Sequence, residues 1–501
     1  MSQETTIPAI EMSAADRSTE KLNDFSDRLP PMLVKELRQG LRAKTFVGVF
    51  LGLQLFLGIV MLFATTASGL DGAGEAVSRI IFLFFSLAVL VVQPLRAINA
   101  LHSEIKSTTL DMMVLTRLNA RRIVAGKWAS IVGQTLLLFV SIVPYLILRY
   151  FFGGMNLFAE LLALGSICAF SACLTAFNIG LSSNAAIIVR GIVPMIVAVI
   201  LFSFLMAMLT EFDDFLEFFS LADPDAMALY WGLFIGSIYL AWITFGLGVS
   251  AIAPAAENHS SLNRLITLVM MAIAAVIMHL AHADEVIIPF IIGAVAFPGL
   301  LASLTEPNQL LPRVTLPFIR RGIIGKLCGV FLYPCWFSGV CFSALLCVFL
   351  LALGGVFTAY MPMYRFGEEE FTVLCSLTGS ALFPALFLAF FQKRIQNRLG
   401  IYLAILIASF ALMLALMAVA ESTNADASMW LFVWLPPAQL YLIDNAGTSD
   451  TAVLIASIVF TGLYLGILLI HAWSKYKQIR QVEQEAEETY LTPAESSPEP
   501  S

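Results

Sequence analysis

The residues whose types and spacing best suit chemistry lie in one polar interval, residues 103–127, between two apolar stretches. If this interval is helical, Glu104, Thr108 and Asp111 share one face, because spacings of four and seven residues return to the same side of a helix. Basic and apolar side chains form a stripe on another face: Lys106, Leu110, Met113 and Arg117. Such a segment has no reason to enter a bilayer, and its pattern predicts a helix that docks on another protein.

Nucleotide chemistry is not expected in this chain. Gly322, Gly325 and Lys326 come nearest to a phosphate-binding loop, but they lack its four-residue gap and the Ser or Thr that follows the lysine. If the protein uses ATP, another chain must supply the nucleotide site. The sequence therefore predicts no catalytic residue, no cofactor and no enzyme activity of its own.

Metal chemistry is not expected either. His279, His282 and Glu285 follow at intervals of three, which would bring them together on a continuous helix, but the chain turns there and solvated side chains are expected. The seven cysteines all lie in apolar runs without Cys-x-x-Cys spacing, which is typical of small buried core residues. The sequence predicts neither a metal site nor a disulfide framework.

The elements that must position the docking interval are membrane helices. The chain is 59% hydrophobic and 13% charged, with a mean hydropathy of +0.87. The composition predicts an all-α polytopic membrane protein with about 12 transmembrane helices, since about 20 apolar residues cross the hydrocarbon layer. These runs lie near residues 45–67, 78–97, 128–148, 157–181, 189–209, 229–251, 264–281, 286–304, 327–353, 371–391, 400–420 and 451–472.

Several shorter segments flank these runs. Leu33, Leu37 and Leu41 recur every four residues beside basic side chains, which predicts an interfacial elbow helix over residues 30–44, although an ordinary basic flank of the first span is the alternative. Residues 212–221 and 430–442 are apolar but too short to cross, and are expected at the interface. Residues 1–29 and 474–501 are predicted to be disordered cytoplasmic tails.

Polar side chains within the spans are few. Gln54, Gln93, Gln134 and Asn178 are expected to form hydrogen bonds between helices. Glu160 is expected to be solvated near the outer end of its span. A chain of deep carboxylates, which a proton-driven carrier would need, is not evident in the sequence.

Charge placement predicts the orientation. With the N-terminus inside, the lysines and arginines lie in cytoplasmic segments except Arg79, Arg149 and Arg365, while the outer loops are acidic. This follows the positive-inside rule. Both termini are therefore expected in the cytoplasm, and the chain in a plasma or inner membrane.

An internal repeat divides the chain. Residues 121–127 (RRIVAGK) and 320–326 (RRGIIGK) match at one constant offset, which Thr116 and Thr315 share. We expect two parallel six-span halves, residues 45–252 and 253–473. The second copy is degenerate, because Pro307, Pro312 and Pro317 would interrupt its loop helix.

The interval 103–127 resembles the cytoplasmic loop of ABC-2-type transporter permeases. The match runs through Glu104, the Thr-Leu-Asp at 109–111, Leu115, Thr116, Leu118, Ile123, Gly126 and Lys127, with a second match at residues 31–38 (PMLVKELR). The chain departs from the family pattern at Thr108, where Gly is usual, at Met113, where Leu is usual, and at Arg117, where Pro is usual. The resemblance covers about the first half of the chain.

The resemblance implies the membrane subunit of an ATP-driven exporter, working with a separate ATPase, two copies per chain, in the lipid bilayer and without nucleic acid. It assigns coupling to the ATPase to Glu104, Thr108, Thr109, Leu110, Asp111, Leu115 and Thr116. Anchoring at the membrane interface is expected for Lys35, Glu36, Arg38, Arg42, Arg121, Arg122, Lys127, Arg320, Arg321 and Lys326. For the basic residues, topology determination alone is the alternative. The other readings of the whole chain are a twelve-span ion- or proton-coupled carrier and a non-transporting membrane scaffold.

Overall fold

The fold is helical throughout the part of the chain that the structure describes. A computed structural model describes residues 31–66, 73–102, 105, 119–151, 156–184, 186–254, 257–280, 287–307, 310–360, 367–391, 397–423, 426–445 and 450–490. No strand occurs within these ranges.

Twelve helices are long and apolar enough to cross a membrane. In chain order, spans 1 to 6 are Lys44–Ala64, Gly74–Asn99, Ala120–Tyr150, Leu157–Ser182, Ile188–Thr210 and Pro224–Ile252. Spans 7 to 12 are Ser260–Leu280, Ile287–Leu304, Trp336–Phe357, Glu368–Phe390, Arg398–Thr423 and Asp450–Trp473. Each predicted apolar run corresponds to one span, so the chain is a multi-pass helical membrane protein.

Span 9 begins later than the sequence predicts. The predicted run over residues 327–353 is divided, because a separate junction helix, Gly322–Leu332, ends before Tyr333 and span 9 begins at Trp336. Tyr333 is extended (φ −64°, ψ 142°), as expected for a residue that precedes a proline. Pro334 therefore separates two helices that hydropathy alone joins.

Prolines begin helices at two places between spans. The loop helix, Pro312–Ile319, forms with Pro312 in its first turn, where the missing N–H is tolerated, and holds Pro317 in its interior. The helix Pro436–Asn445 likewise begins at a proline and follows a 3-10 helix, Asp426–Phe432. The prediction that Pro317 interrupts the loop helix is thus corrected, whereas Pro312 and Pro436 each mark the start of a new helix.

Short helices also occur at the other predicted positions. The elbow helix, Pro31–Leu41, precedes span 1, and the helix Phe212–Ser220 lies between spans 5 and 6. The pair Asp426–Phe432 and Pro436–Asn445 lies between spans 11 and 12. Short helices therefore separate the last two spans in both halves of the chain.

The C-terminal helix, Tyr476–Tyr490, differs from the predicted disordered tail over residues 474–501. Its sequence is polar, but Ile479, Glu483 and Ala486 are spaced by four and three residues and share one buried face. Packing of this face against the rest of the chain explains the helix, which composition alone does not predict.

Pairs of spans pack closely in each half. Span 4 packs most extensively against span 6, and span 10 against span 12. At the first of these seams Gly180 approaches Gly248, and a Cβ added to Gly180 would lie 2.0 Å from the carbonyl oxygen of Thr244. Only a residue without a side chain fits at such a backbone contact.

Span 2 is irregular around Pro94. A π-helical stretch, Leu87–Val92, precedes this proline, which has no N–H to offer to an upstream carbonyl. Span 4 satisfies carbonyls of this region, since Ser171 Oγ donates to Val89 O (2.6 Å) and Asn178 Nδ2 donates to Pro94 O (2.9 Å). The irregular segment is thus held by side chains of its neighbour.

Candidate functional site

The predicted coupling residues, Glu104, Thr108, Thr109, Leu110, Asp111, Leu115 and Thr116, lie outside the described residues. The structure describes both ends of their interval. On one side the Leu101 N–H donates to Ser182 Oγ (3.1 Å) at the end of span 4. On the other side Asn119 precedes span 3 and its side-chain oxygen accepts from the Arg121 N–H (3.4 Å). The residue Leu101, just after span 2, is thus hydrogen-bonded to the end of span 4, and the start of span 3 is capped by Asn119.

The elbow helix packs along the first turns of span 3. A Cβ added to Gly126 would lie 2.9 Å from Met32 Cγ, and one added to Gly133 would lie 3.2 Å from Leu37 Cδ2. The glycines of span 3 thus form a shallow groove for two apolar side chains of the elbow helix. This contact holds the start of span 3 against the segment before span 1.

An ion pair joins the same two helices. Lys127 Nζ lies 3.4 Å from Glu36 Oε1, and the two side chains are 10% and 14% exposed. Lys35, Arg38 and Arg42 of the predicted anchors are exposed on or just after the elbow helix. Burial and the Glu36 contact give Lys127 a role between helices, while contact of the anchors with lipid headgroups stays a prediction.

Other predicted anchors lie near the junction of the two halves. Arg121 and Arg122 are exposed at the start of span 3, and the Arg121 guanidinium donates to His259 Nδ1 (3.3 Å). His259 Nε2 in turn lies 2.9 Å from Glu257 Oε2. The start of span 3 is therefore linked to the segment that precedes span 7.

The predicted hydrogen bonds between spans are confirmed for Gln54, Gln134 and Asn178, whereas Gln93 bonds to Arg96 within its own span. Gln54 Nε2 donates to Ser141 Oγ (2.6 Å), which joins spans 1 and 3. Gln93 accepts from Arg96 (2.7 Å), whose guanidinium also donates to Gln134, so spans 2 and 3 share a polar cluster. The sequence does not predict that Arg96 bonds to these glutamines, because a basic residue at a span end is equally well explained by the positive-inside rule.

A second basic centre, around Arg264, was not predicted. From the first turns of span 7, its guanidinium donates to Phe331 O (2.5 Å) in the junction helix and to Ser338 Oγ (3.0 Å) in span 9. It also pairs with Glu306 Oε2 (2.5 Å), and Arg398 donates to the Glu306 carbonyl. A cation at the C-terminal end of a helix meets unpaired carbonyls and the negative end of the dipole.

The Glu306 carboxyl lies just beyond span 8. Burial raises its pKa to about 7, and the adjacent Arg264 guanidinium opposes this rise. The sequence places Glu306 only in a proline-rich loop, since its pairing depends on a contact across 42 residues of chain.

A buried ion pair lies at the ends of spans 2, 3 and 4 that are far from the interval 103–127. Arg149 Nη2 is 3.9 Å from Glu160 Oε1, and the two side chains are 2% and 1% exposed. Ser78 bridges them, since it accepts from Arg149 Nε (2.7 Å) and its hydroxyl lies 3.3 Å from each Glu160 oxygen. The expectation that Glu160 is solvated is therefore corrected, because a buried carboxylate is tolerated when a cation and a hydroxyl satisfy it.

The anchors of the second half differ in environment. Arg320 and Arg321 are exposed before the junction helix. Lys326 forms an ion pair with Glu487 Oε1 (2.5 Å) of the C-terminal helix. Of the residues considered for a metal site, His282 and Glu285 lie outside the described residues, and within these no group of three His, Cys, Asp or Glu side chains could hold a metal ion.

An apolar cavity of about 310 Å³ lies between spans 6, 7 and 8, where the two halves meet. Its lining includes Gly232, Met270 and Ile291, with the hydroxyls of Ser237 and Tyr239. The hydroxyls donate to the backbone carbonyls of Phe234 and Val295, so neither proton is free for a polar molecule. The cavity suits hydrocarbon rather than an ion.

Comparisons with protein-family models, with curated proteins and with solved structures give no match. The assignment of a function therefore depends on the residues and the geometry described above.

Proposed function

We propose that the chain is the transmembrane permease subunit of an ATP-driven exporter of the ABC-2 type. A separate ATPase subunit hydrolyses ATP and acts on the interval 103–127, and the chain moves an unidentified substrate across the membrane. The observation that carries this proposal is the docking pattern of that interval together with the elbow helix, which packs on span 3 where the interval ends. A loop transmits force to a span only when its end is held, and the Lys127–Glu36 contact and Gly126 provide such a junction.

The two halves act as a pseudo-dimer in this proposal. The repeated Arg-Arg-x-x-x-Gly-Lys motif lies at the start of span 3 in the first half. In the second half it lies at the start of the junction helix, just before span 9. The pairing of spans 4 and 6 is matched by that of spans 10 and 12. Short helices also precede the last span of each half. These correspondences support a duplicated six-span unit, in which one chain serves two ATPase subunits.

Carboxylate placement favours an exporter over an ion- or proton-coupled carrier. Glu160 and Glu370 are the buried carboxylates within the described spans, and both lie in the first turn of their span. A proton-driven carrier needs carboxylates deep in the bilayer. The described part of the chain offers none at mid-span.

In the proposed orientation the chain lies in a plasma or inner membrane, and both of its termini are in the cytoplasm. On a cysteine-free background, Glu369→Cys is expected to react with a membrane-impermeant maleimide in intact cells, because the first turn of span 10 is acidic and expected outside. Arg394→Cys, in the basic segment before span 11, is expected to react only after permeabilisation. Labelling of both positions from the same side would contradict this orientation.

The coupling interval is tested by Glu104→Ala combined with Asp111→Ala. The double variant is expected to reach the membrane normally but to lose most of the ATP hydrolysis that depends on the permease, because both carboxylates share the proposed docking face. The measurement is ATPase activity of the purified complex at equal amounts of permease. Asp214→Ala with Glu217→Ala, which removes two exposed acids next to the outer membrane surface, is the matched control and should hydrolyse ATP as the wild type does. Unchanged association and activity in the Glu104 and Asp111 variant would refute this role.

A further inference from the structure

The two repeated lysines have equivalent partners at opposite ends of the chain. Lys127 closes the first Arg-Arg-x-x-x-Gly-Lys motif and pairs with Glu36 of the elbow helix. Lys326 closes the second motif and pairs with Glu487 of the C-terminal helix. The sequence before the first span of the second half lacks the Pro-x-x-x-x-Glu-x-Arg pattern of the elbow helix, and the C-terminal helix supplies the acidic partner there.

The C-terminal helix lies directly on the loop of the second half. It packs against the loop helix, which occupies the same connection between spans as the coupling interval of the first half. Its buried face places Ile479 in an extended apolar core, against which Phe318 of the loop helix also packs. The ring of Tyr476 also lies 5.9 Å from that of Phe337 in span 9. These contacts make the helix part of the folded second half.

A buried carboxylate gives this contact its specificity. Glu483 is 4% exposed, and its Oε1 accepts a hydrogen bond from the Tyr333 hydroxyl (2.9 Å). Its other oxygen accepts from Arg480 Nη1 (3.0 Å), three residues earlier on the same helix. Tyr333 lies in the break between the junction helix and span 9, so the bond joins the C-terminal helix to the point where the loop enters the membrane.

The Tyr333 hydroxyl is held as a donor. Burial and the neighbouring Glu483 carboxylate raise the pKa of Tyr333 above its usual range, so the hydroxyl keeps its proton. A slipped or tilted helix would take Glu483 away from this donor, and a buried carboxylate that loses a hydrogen bond is costly even with Arg480 beside it. The pair therefore selects one position of the C-terminal helix.

We propose that the C-terminal helix is the second half's substitute for the elbow helix, and that it closes the loop of that half to a partner protein. The second part rests on the proposed function, because it assigns direct ATPase contact to the first-half interval alone. The second ATPase is then held through its pairing with the first. Two contacts of this helix, Glu483 with Tyr333 and Glu487 with Lys326, take the place of contacts that a docking partner would otherwise make.

Hydrogen–deuterium exchange of the full chain tests the helix itself. Glu483→Ala is expected to speed exchange of amides 479–490 about tenfold, since it removes a buried hydrogen bond that holds the helix in place. Tyr333→Phe should act in the same direction. Glu485→Ala, an exposed change on the same helix, is the matched control and should leave exchange unchanged. Equal exchange in the Glu483 and Glu485 variants would overturn the proposal.

A charge exchange separates docking from general loss of folding. Lys326→Glu and Glu487→Lys should each loosen the C-terminal helix, and the double exchange should restore a part of its protection, because the ion pair is re-formed with opposite polarity. Glu488→Lys, one residue further along and exposed, should not loosen the helix. Additive effects of the two exchanges, with no recovery, would show that this pair does not hold the helix.

Photo-cross-linking tests the closure. A photoreactive residue in place of Glu104 is expected to capture the ATPase subunit, whereas one in place of Arg313, exposed on the loop helix, is not. Equal capture from both positions would overturn the closure of the second loop. Purification without any nucleotide-binding subunit would instead refute the proposed function, and the exchange experiments would still decide the role of the C-terminal helix.

Discussion

Gly180→Ala is expected to cost at least about 2 kcal/mol of unfolding free energy, because overpacking against rigid backbone cannot be relieved by a side-chain movement. The added Cβ would lie 2.0 Å from the Thr244 oxygen and 2.4 Å from its carbonyl carbon, so spans 4 and 6 would have to separate. The measurement is thermal unfolding of the detergent-solubilised chain, followed by size-exclusion fluorescence.

Span 4 offers a matched control for this substitution. Gly165 lies on the same span, and a Cβ added there would have nothing within 4 Å. Gly165→Ala is therefore expected to unfold as the wild type does, or slightly later, since alanine favours the helix. Equal unfolding of the Gly180 and Gly165 variants would contradict the close contact between spans 4 and 6.

Arg264→Met is expected to destabilise the second half by about 3–5 kcal/mol, the usual cost of leaving the partner of a buried ion pair unpaired. The substitution removes the cation beside Glu306 and the donor to Phe331 O at the end of the junction helix. Arg320→Met, at an exposed position, is the control and should change little. Thermal unfolding of the two variants gives the comparison.

The cost of Arg264→Met should depend on pH. Burial already raises the pKa of Glu306 to about 7, and loss of the opposing guanidinium raises it further. A folded-state pKa above the unfolded value means that stability is present at low pH and lost as the pH rises through the folded pKa. The variant should therefore be closer to the wild type at about pH 5.5 than at about pH 8.5, and Glu306→Gln in the same background should remove that difference. A penalty that is the same at both values would show that Glu306 is not the unpaired group.

The spans were predictable because crossing a bilayer demands length and apolarity, which are local properties of the sequence. The elbow helix was also predictable, since Leu33, Leu37 and Leu41 recur at the helical period. The start of span 9 was not, because the residues on both sides of Pro334 are equally apolar and hydropathy does not register a break between them.

Contacts between distant parts of the chain could not be predicted from the sequence. The C-terminal helix is polar, and only its position against the loop helix and Tyr333 gives Glu483 a reason to be buried. Glu160 was expected in water because its ion pair with Arg149 forms only when spans 3 and 4 fold together. The coupling residues Glu104 and Asp111 stay a prediction, since they lie outside the described residues.

The composition of the complex purified from native membranes through a tag on this chain tests the central claim most directly. The account predicts, by native mass spectrometry, one copy of this chain with two nucleotide-binding ATPase subunits, and loss of those subunits when Glu104 and Asp111 are both replaced by alanine. Two copies of this chain with two ATPase subunits would contradict the pseudo-dimer. An intact chain that purifies with no nucleotide-binding subunit would contradict the assignment as an exporter permease.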